Sequence, residues 1–336
     1  MGNNSCTGIG HNIGRYRNLQ KIGEGYFSKV YKVVDTKDST DEFTYYAMKK
    51  ISKKMIKKQK HLAELYEFEV AILRQINHPN ILHLHDLIDT KSYHCLIVNY
   101  CNNGDLKQYI KKNKYLTESE AVYFLKQIMN GFKELHKHKI MHRDFKSANI
   151  FIHDDVLVIG DFGLSNIGED QDSLKIGTPI NAAPEVLNGG HFGVYDTKVD
   201  LWSIGVTFYE MLFGYNPFFS NDDSIKTLEL MQKHHSGKNL YFNSEIPISE
   251  PCKQLLKSLI EFDPKKRIEW HEFFHHQLFR LHDENGDLAS SKGKSSEVKG
   301  RNRIPTVILF KSSRSTIERN FKENQVKESG KFIGDN

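Results

Sequence analysis

Two glycines near the start of the chain are spaced so that they could cradle a phosphate group. Gly23 and Gly25 lie in the run Ile22–Val30, with the sequence IGEGYFSKV. Glycines one residue apart let backbone N–H groups approach phosphate oxygens closely, although such pairs also mark ordinary hairpin turns. Because the run lies between two strand patterns and not before a helix, it favours a β-hairpin lid over a dinucleotide-binding turn.

A lysine and a glutamate further along could form a buried pair. Lys49 follows the strand pattern of Phe43–Met48, where a lysine is costly to bury without a partner. Glu69, on the apolar face of the next predicted helix, is the natural partner. A lysine that reaches solvent and a solvated glutamate would give the same local pattern, so the pair alone does not define a site.

Four short motifs later in the chain decide between a functional site and these ordinary structural explanations. The run His142–Asn149 (HRDFKSAN) brings a carboxylate, an ammonium group and a carboxamide together. Asp161–Gly163 (DFG) follows the apolar predicted strand Val156–Ile159, and Gly177–Pro179 and Ala183–Glu185 come next. Each fragment could arise by chance, but all of them in this order and at workable spacings could not.

The surrounding pattern predicts strands first and helices afterwards. Val30–Val34 and Phe43–Met48 are strand-like, and Pro79 lies in the His78–Asn80 segment that ends the one intervening helix. The residues at helical spacing on the apolar face of that helix are Leu62, Leu65, Phe68, Glu69, Ile72 and Ile76.

Two further helices are predicted in the second part of the chain. Thr117–Glu120 is a capping box that opens a helix running to about His138. Residues 197–213 are apolar on all sides, which is typical of a helix buried inside a domain, and Gly214 is placed to end it.

Composition excludes several classes of protein. With 336 residues, 38% of them hydrophobic, the chain can bury the core of two domains or of one bilobed domain. A net charge of +5 fits nucleotide ligands but does not demand nucleic acid. The four cysteines form no Cys-x-x-Cys pair, so neither zinc nor disulfides are indicated and a cytoplasmic protein is expected. No apolar run has membrane-spanning length, and no secretory signal is present.

On these motifs the chain resembles a eukaryotic protein kinase from about Tyr16 to Phe279. The resemblance implies an α+β, bilobed fold, with a small β-rich lobe carrying one regulatory helix, a larger mainly helical lobe, and ATP in the cleft between them. The expected organisation is a flexible tail over 1–14, a kinase domain over 15–279 with lobes of about 15–100 and 101–279, and a largely disordered tail over 280–336.

The resemblance also implies which residues hold ATP and magnesium. Lys49, held by Glu69, would grip the α- and β-phosphates, and Asp161 and Asn149 would bind Mg²⁺. The residues expected to line the ATP site are Ile22, Gly23, Glu24, Gly25, Tyr26, Phe27, Ser28, Lys29, Val30, Ala47, Lys49, Val98, Asn99, Cys101, Asp105 and Phe151. Val98 corresponds to the gatekeeper position, and its small size predicts an accessible pocket behind the adenine.

Further roles follow for the catalytic loop and its supports. Asp144 would accept or orient the substrate hydroxyl proton, and Lys146 would neutralise the transferring phosphate. Glu185 resembles the residue that pairs with a late arginine, here Arg267, and Asp200 resembles the residue that anchors the catalytic loop. The last two roles are structural.

Lys146 together with the Gly177–Pro179 motif resembles serine/threonine kinases, in which Thr178 would bridge Asp144 and Lys146. Protein substrates with Ser or Thr acceptors are therefore expected. A pseudokinase scaffold and a small-molecule kinase are the alternatives. The complete set of catalytic residues argues against the first, and the Gly177–Glu185 segment, which forms the peptide platform of protein kinases, argues against the second.

Several positions depart from the family pattern. Asn99 replaces an acidic hinge residue, so the first adenine contact must rest on its backbone carbonyl, and Ala148 replaces the glutamate common in basophilic kinases. The other replacements are Ser28 for the third glycine of the lid, Phe145 and Ser147 for Leu and Pro, and Asn181 for Tyr. These changes leave the substrate preference open and do not affect the catalytic set.

Within the kinases, two stretches resemble the Unc-51-like, autophagy-initiating branch. They are Asn99–Leu106 (NYCNNGDL) and Trp270–His276 (WHEFFHH). The basal-body and calmodulin-dependent branches share parts of both. The short C-terminal tail has no room for the large partner-binding region that such kinases usually carry, so their regulatory complex is not predicted.

The resemblance suggests a regulatory phosphosite. An arginine before the catalytic aspartate, here Arg143, leaves a positive charge that a phosphate on the activation segment can satisfy. Ser165 lies too near the metal motif and Thr178 is assigned to the catalytic loop, so Ser173 is the candidate. The alternative is that the acidic run Glu169–Asp172 already supplies the carboxylate.

The N-terminus suggests weak membrane association. Gly2 begins a sequence like an N-myristoylation site, although Cys6 occupies the usual Ser or Thr position. One acyl chain would hold weakly, and palmitoylation of Cys6 or the lysine run of residues 53–60 could add a second signal. The unmodified tail is the alternative, and the oligomeric state is left open.

Overall fold

The computed structural model describes residues 10–25, 28–37, 44–163, 165–167, 179–187, 196–218 and 240–283. Of the residues named above, Tyr26, Phe27, Phe43, Ser173 and Thr178 lie outside the described residues. The same holds for Gly2, Cys6, Gly177, the acidic run Glu169–Asp172 and residues 284–336.

The first lobe is a six-stranded antiparallel sheet with the strand order β1-β2-β3-β4-β6-β5. Its register places Val30 opposite Lys49 and Lys32 opposite Ala47, and since residues paired across a ladder share a face, these four side chains lie on one side of the sheet. The strands are β1 Asn12–Ile13, β2 Tyr16–Glu24, β3 Ser28–Asp35, β4 Tyr45–Ser52, β5 Leu84–Asp89 and β6 Tyr93–Asn99.

Strand β1 was not expected, because the sequence places residues 1–14 in a flexible tail. Asn12 instead pairs with Arg17, and Ile13 is 6% exposed and packs in a small core on the outer face of the sheet. Ile13 stabilises this short segment by burying apolar surface, which its small polar neighbours lack.

Two helices, α1 Lys53–Lys58 and α2 Lys60–Gln75, follow strand β4. The prediction of α2 is confirmed, but the placement of Phe68 on its buried face is wrong, since that side chain is 39% exposed. The buried positions include Glu69, Val70 and Leu73. Leu62, Ile72 and Ile76 are also buried, as predicted, and since each residue turns about 100° around a helix, Phe68 lies outside the buried stripe although its neighbour Glu69 lies within it.

Helix α1 was missed because its lysines read as a solvated run. Ser52 caps it by accepting a hydrogen bond from the Met55 backbone N–H at 3.4 Å. Lys54, Lys57 and Lys58 are exposed, whereas Lys53 pairs with Asp89 at 3.2 Å.

The second lobe is mainly helical. The predicted capping box of Thr117 and Glu120 opens α4, and α6 is buried on nearly every side. Gly214 ends α6 with a φ of 80°, and a Cβ at this position would lie 1.9 Å from the Lys114 carbonyl oxygen. Only glycine fits there. The helices are α3 Leu106–Asn113, α4 Glu118–Lys137, α5 Pro184–Leu187, α6 Lys198–Phe213, α7 Glu250–Leu259 and α8 Trp270–Phe274. Residues 280–283, placed in the C-terminal tail by the sequence, are helical as well.

Two small two-stranded antiparallel sheets complete the second lobe. Strand β7 Ile140–Met141 pairs with β10 Asn166–Ile167, and β8 Ile150–His153 pairs with β9 Val156–Ile159. The backbone of Ile159 bonds to the segment after α2, accepting from Leu82 N–H at 2.8 Å. The predicted α+β, bilobed fold is confirmed. Among the described residues, none of the helices combines the length and apolar character needed to cross a membrane.

Candidate active site

Strand β4, helix α2 and the segment after β9 bring three charged side chains together. Lys49 Nζ lies 2.5 Å from Glu69 Oε1 and 3.4 Å from Asp161 Oδ1. Burial opposes the charge on Lys49, but the two carboxylates outweigh it and raise the pKa of Lys49 above its ordinary value. The Lys49 ammonium is the main cause that lowers the pKa of Asp161. The site therefore holds a fixed positive charge beside an ionised carboxylate.

A second cluster lies on the loop between β7 and β8. Asp144 is buried, and its Oδ2 accepts hydrogen bonds from Lys146 Nζ at 2.6 Å and Asn149 Nδ2 at 3.0 Å. Asn149 Nδ2 also donates to the Asp144 carbonyl at 2.9 Å. One carboxylate is thus oriented by two donors, so that its position does not depend on side-chain rotation.

The loop that carries Asp144 is fixed to the buried helix α6. Asp200 Oδ2 accepts from His142 N–H at 2.8 Å, and Asp200 Oδ1 accepts from Arg143 N–H at 2.9 Å. Arg143 has a φ of 65°, in the left-handed region that non-glycine residues seldom adopt. Two charge-assisted bonds to a buried carboxylate stabilise this turn.

Aromatic packing sets the position of the loop and of Asp161. Phe145 is fully buried, and its ring lies 4.9 Å from that of Phe132 and 5.7 Å from that of His142. The ring of Phe162 lies 5.1 Å from His142. Phe145, a departure from the family pattern, therefore fills the core under the loop.

The residues expected around the adenine occupy the two sides of the cleft. Ala47 lies opposite Val98 in the ladder between β4 and β6, and Phe151 bridges to Asp105 on the other side. Asp105 caps α3 through the Gln108 N–H at 2.8 Å. Cys101 is half-buried, and burial raises the pKa of its thiol to about 12, so the thiol stays neutral.

The glycine-rich run occupies the turn between β2 and β3. Ile22, at the mouth, is 42% exposed. Gly25 N–H donates to the Ser28 carbonyl at 2.8 Å and closes the described part of the turn. Glu24 pairs with Lys29 at 3.4 Å and with Lys21. Gly23 lies opposite Val30 in the strand ladder.

Glu185 and Arg267 form a buried ion pair away from the cleft. Arg267 Nη1 and Nη2 donate to the two Glu185 carboxylate oxygens at 2.7 and 2.9 Å, and Arg267 has no exposed side-chain surface. The pair links α5 to the segment before α8 and so helps to fix the position of the Ala183–Glu185 motif.

Sequence reasoning missed a carboxylate next to the catalytic loop. Ser147 Oγ donates to Glu210 Oε2 at 2.7 Å, and burial raises the pKa of Glu210. The bond joins the loop to α6 at a second point besides Asp200. The available signal was an acidic residue inside an otherwise apolar helix, which is costly unless the residue has a partner.

The regulatory proposals rest on residues that the structure does not describe. Ser173, Thr178 and the acidic run Glu169–Asp172 lie outside the described residues, so the phosphosite at Ser173 stays a prediction. Ser165, excluded above because it lies near the metal motif, is buried and donates to the His142 carbonyl at 3.1 Å.

Comparison with known proteins agrees with this geometry. The family model for the protein kinase domain matches residues 16–279. The serine/threonine-protein kinase atg1 of Dictyostelium discoideum is 35% identical over 282 residues, covering 81% of this chain and 40% of that protein. The serine/threonine-protein kinase ULK3 of Xenopus laevis is 36% identical over 270 residues, covering 78% and 54%. The cell cycle serine/threonine-protein kinase CDC5/MSD2 of Saccharomyces cerevisiae is 33% identical over 263 residues, covering 77% and 36%.

The chain belongs to the protein kinase family. The relatives named atg1 and ULK3 confirm the predicted resemblance to Unc-51-like kinases. The chain spans about half or less of the length of these relatives, so the similarity concerns the kinase domain. Members of this family normally use ATP and Mg²⁺.

Removing the charge of Glu69 tests the pair with Lys49. In Glu69→Gln, we expect turnover to fall by about tenfold or more, because a buried ammonium loses its main partner. Glu69 raises the pKa of Lys49, so its loss lowers that pKa and moves the alkaline limb of the activity profile to lower pH. The measurement is kcat/KM against pH, with Glu67→Gln, an exposed neighbour on α2, as the matched control. Turnover in Glu69→Gln equal to that in Glu67→Gln would contradict this role.

Enlarging Val98 tests the space behind the adenine. Val98 is 7% exposed and lies within the main core. In Val98→Met, we expect ATP-competitive ligands that extend past this residue to bind about tenfold more weakly, because extra atoms in a packed region displace the ligand. The measurement is the inhibition constant of one such ligand before and after enlargement. Tighter binding of that ligand to Val98→Met would contradict this prediction.

Proposed function

We propose that this chain is an active serine/threonine protein kinase that transfers the γ-phosphoryl group of MgATP to Ser or Thr hydroxyls of proteins. One observation carries the proposal: both halves of the machinery are assembled at once. Lys49 contacts Glu69 and Asp161, and the Asp144 carboxylate is held by Lys146 and Asn149.

The residues fit bound magnesium and nucleotide. The Asp161 carboxylate is 48% exposed, and Asn149 uses its NH₂ group within the loop, which leaves its amide oxygen free of hydrogen bonds to the described residues. Mg²⁺ is usually held by one or two carboxylates together with substrate phosphates, and the Asp161 carboxylate and the Asn149 amide oxygen are ligands of the required kind. When bound, Mg²⁺ supplies charge neutralisation on the phosphate oxygens.

Each residue has one task in the transfer. Lys49 positions the α- and β-phosphates, and Asp144 orients the substrate hydroxyl and accepts its proton. The hydroxyl oxygen forms a bond to the γ-phosphorus as the bond to the ADP oxygen breaks, and Lys146 neutralises the charge on the transferring group. Phosphoryl transfer needs positioning and electrostatic stabilisation more than covalent catalysis, which these fixed charges provide.

The pseudokinase alternative is not favoured, because none of the catalytic side chains is missing. We propose that the chain acts in Unc-51-like signalling, with proteins and not nucleic acid as partners, in the cytoplasm. Membrane association through Gly2 and the ATP contacts of Tyr26 and Phe27 stay predictions, since these residues lie outside the described ranges.

The test is a transfer assay on the purified chain. Labelled ATP, Mg²⁺ and a generic basic protein should yield labelled phosphoserine and phosphothreonine. The Asp144→Asn variant gives the background. No transfer above that background would contradict the proposal, and label on a small molecule in place of protein would indicate a small-molecule kinase.

A further inference from the structure

A lysine on β3, here called the lid strand, lies between two tyrosine rings. One of these rings belongs to the hinge, the segment that follows β6. Lys32 Nζ is 3.7 Å from the ring centre of Tyr45 and 4.5 Å from that of Tyr100. The two rings meet edge to face with centres 6.2 Å apart. An ammonium group this close to aromatic faces is attracted by their negative electrostatic potential.

The three residues belong to segments that border the adenine site. Lys32 is on β3, the strand that leads out of the glycine-rich turn, and lies opposite Ala47. Ala47 lies opposite Val98, the last buried residue before the hinge. Tyr100 follows directly in the hinge. Lys32 is therefore a side-chain connection between the lid strand and the hinge.

The hinge is also fixed at its two ends by other contacts. The Asn99 side chain accepts from His83 N–H at 3.2 Å, and Asn102 Nδ2 donates to Asp154 Oδ1 at 2.7 Å. These bonds hold the hinge to the residue that precedes β5 and to the turn between β8 and β9. Neither of them reaches the lid strand, whereas the Tyr100 ring does, through Lys32.

The rings are the partners that account for the position of this lysine. Lys32 forms no ion pair within the described ranges, and its side chain is half-buried. A half-buried ammonium needs a compensating interaction, which the two tyrosines supply.

We propose that Lys32 is a positioning residue for ATP. Its contacts with Tyr45 and Tyr100 set the separation between the lid strand and the hinge, and with it the width of the slot that receives the adenine. The inference rests on the proposed kinase function. It predicts an effect on nucleotide affinity and not on the transfer step, because Lys32 lies on β3 of the first lobe, whereas Asp144 and Lys146 lie on the loop between β7 and β8.

The experiment compares matched pairs of variants by calorimetric titration with MgATP and by steady-state kinetics. In Lys32→Met, which keeps the chain length and removes the charge, Kd and KM for ATP should rise about threefold to tenfold with kcat unchanged. Lys32→Arg should bind ATP with about the wild-type affinity, since a guanidinium also binds aromatic faces. Tyr100→Leu should weaken ATP binding and Tyr100→Phe should not. Lys91→Met, an exposed lysine in the turn after β5, controls for loss of charge.

The outcomes separate the alternatives. Wild-type affinity in Lys32→Met would overturn the inference, as would equal impairment in Lys32→Arg and Lys32→Met, because that indicates packing alone. If Lys32→Met does not fold, the Tyr100 pair decides, since Phe keeps the ring and Leu does not. A wild-type chain that binds no MgATP would overturn the proposed function together with this inference. Normal wild-type binding with unchanged variants would overturn only the inference.

Discussion

Replacing Asp144 by Asn should lower phosphoryl transfer by about a hundredfold to ten-thousandfold while the fold and ATP affinity are retained. The amide is nearly isosteric with the carboxylate. Its oxygen can accept the hydrogen bonds that Lys146 and Asn149 now donate at 2.6 and 3.0 Å. Its NH₂ group would then face the substrate hydroxyl, where it cannot accept a proton.

The measurement is single-turnover transfer from ATP to a peptide or protein acceptor. MgATP affinity and the midpoint of thermal unfolding are measured in parallel, and both should match the wild type. Asp155→Asn, an exposed carboxylate in the turn between β8 and β9, is the matched control and should leave transfer unchanged. Normal turnover in Asp144→Asn would remove the basis for assigning catalysis to this loop.

The candidate catalytic residues could be indicated from the sequence through its resemblance to protein kinases, because the chemistry restricts their types. Phosphoryl transfer needs a carboxylate, an ammonium group and a carboxamide close together, and one short segment carries all three. Asp161 stands out because it follows an apolar strand. Glu69 could be paired with Lys49 because it is a charge on the apolar face of a predicted helix. The structure places Lys49, Glu69 and Asp161 in contact.

Other features could not be predicted because the contact partners lie far apart in the sequence and only the fold brings them together. Lys32 and Tyr100 each suit a strand or a hinge, and only the folded sheet brings them within 4.5 Å. In the sequence, Ser147 is only a replacement for the usual proline. Its contact with Glu210 exists because the fold places α6 next to the loop. The misplacement of Phe68 has a different cause: it is next to the buried Glu69, and a step of one residue along a helix is enough to turn a side chain from the core to solvent.

The largest expected effect on stability concerns the buried pair of Arg267 and Glu185. Arg267 donates to both Glu185 oxygens, to the Lys198 carbonyl at 2.9 Å and to the Glu261 carbonyl at 3.0 Å. Arg267→Met removes all these donors and leaves a buried carboxylate without its cation. We expect a loss of about 3–5 kcal/mol in the free energy of unfolding, measured by urea denaturation.

A second variant separates the stranded charge from lost packing. In the double variant Arg267→Met/Glu185→Leu neither charge of the pair remains, so it should be more stable than Arg267→Met alone, because removing both partners avoids the desolvation penalty. The exposed pair of Glu250 and Lys253, 3.9 Å apart, supplies the control. Lys253→Met should change stability by no more than about 0.5 kcal/mol. If Arg267→Met lowered the free energy of unfolding no more than this control, the pair of Arg267 and Glu185 would not be the interaction that holds α5 and the end of the activation segment in place.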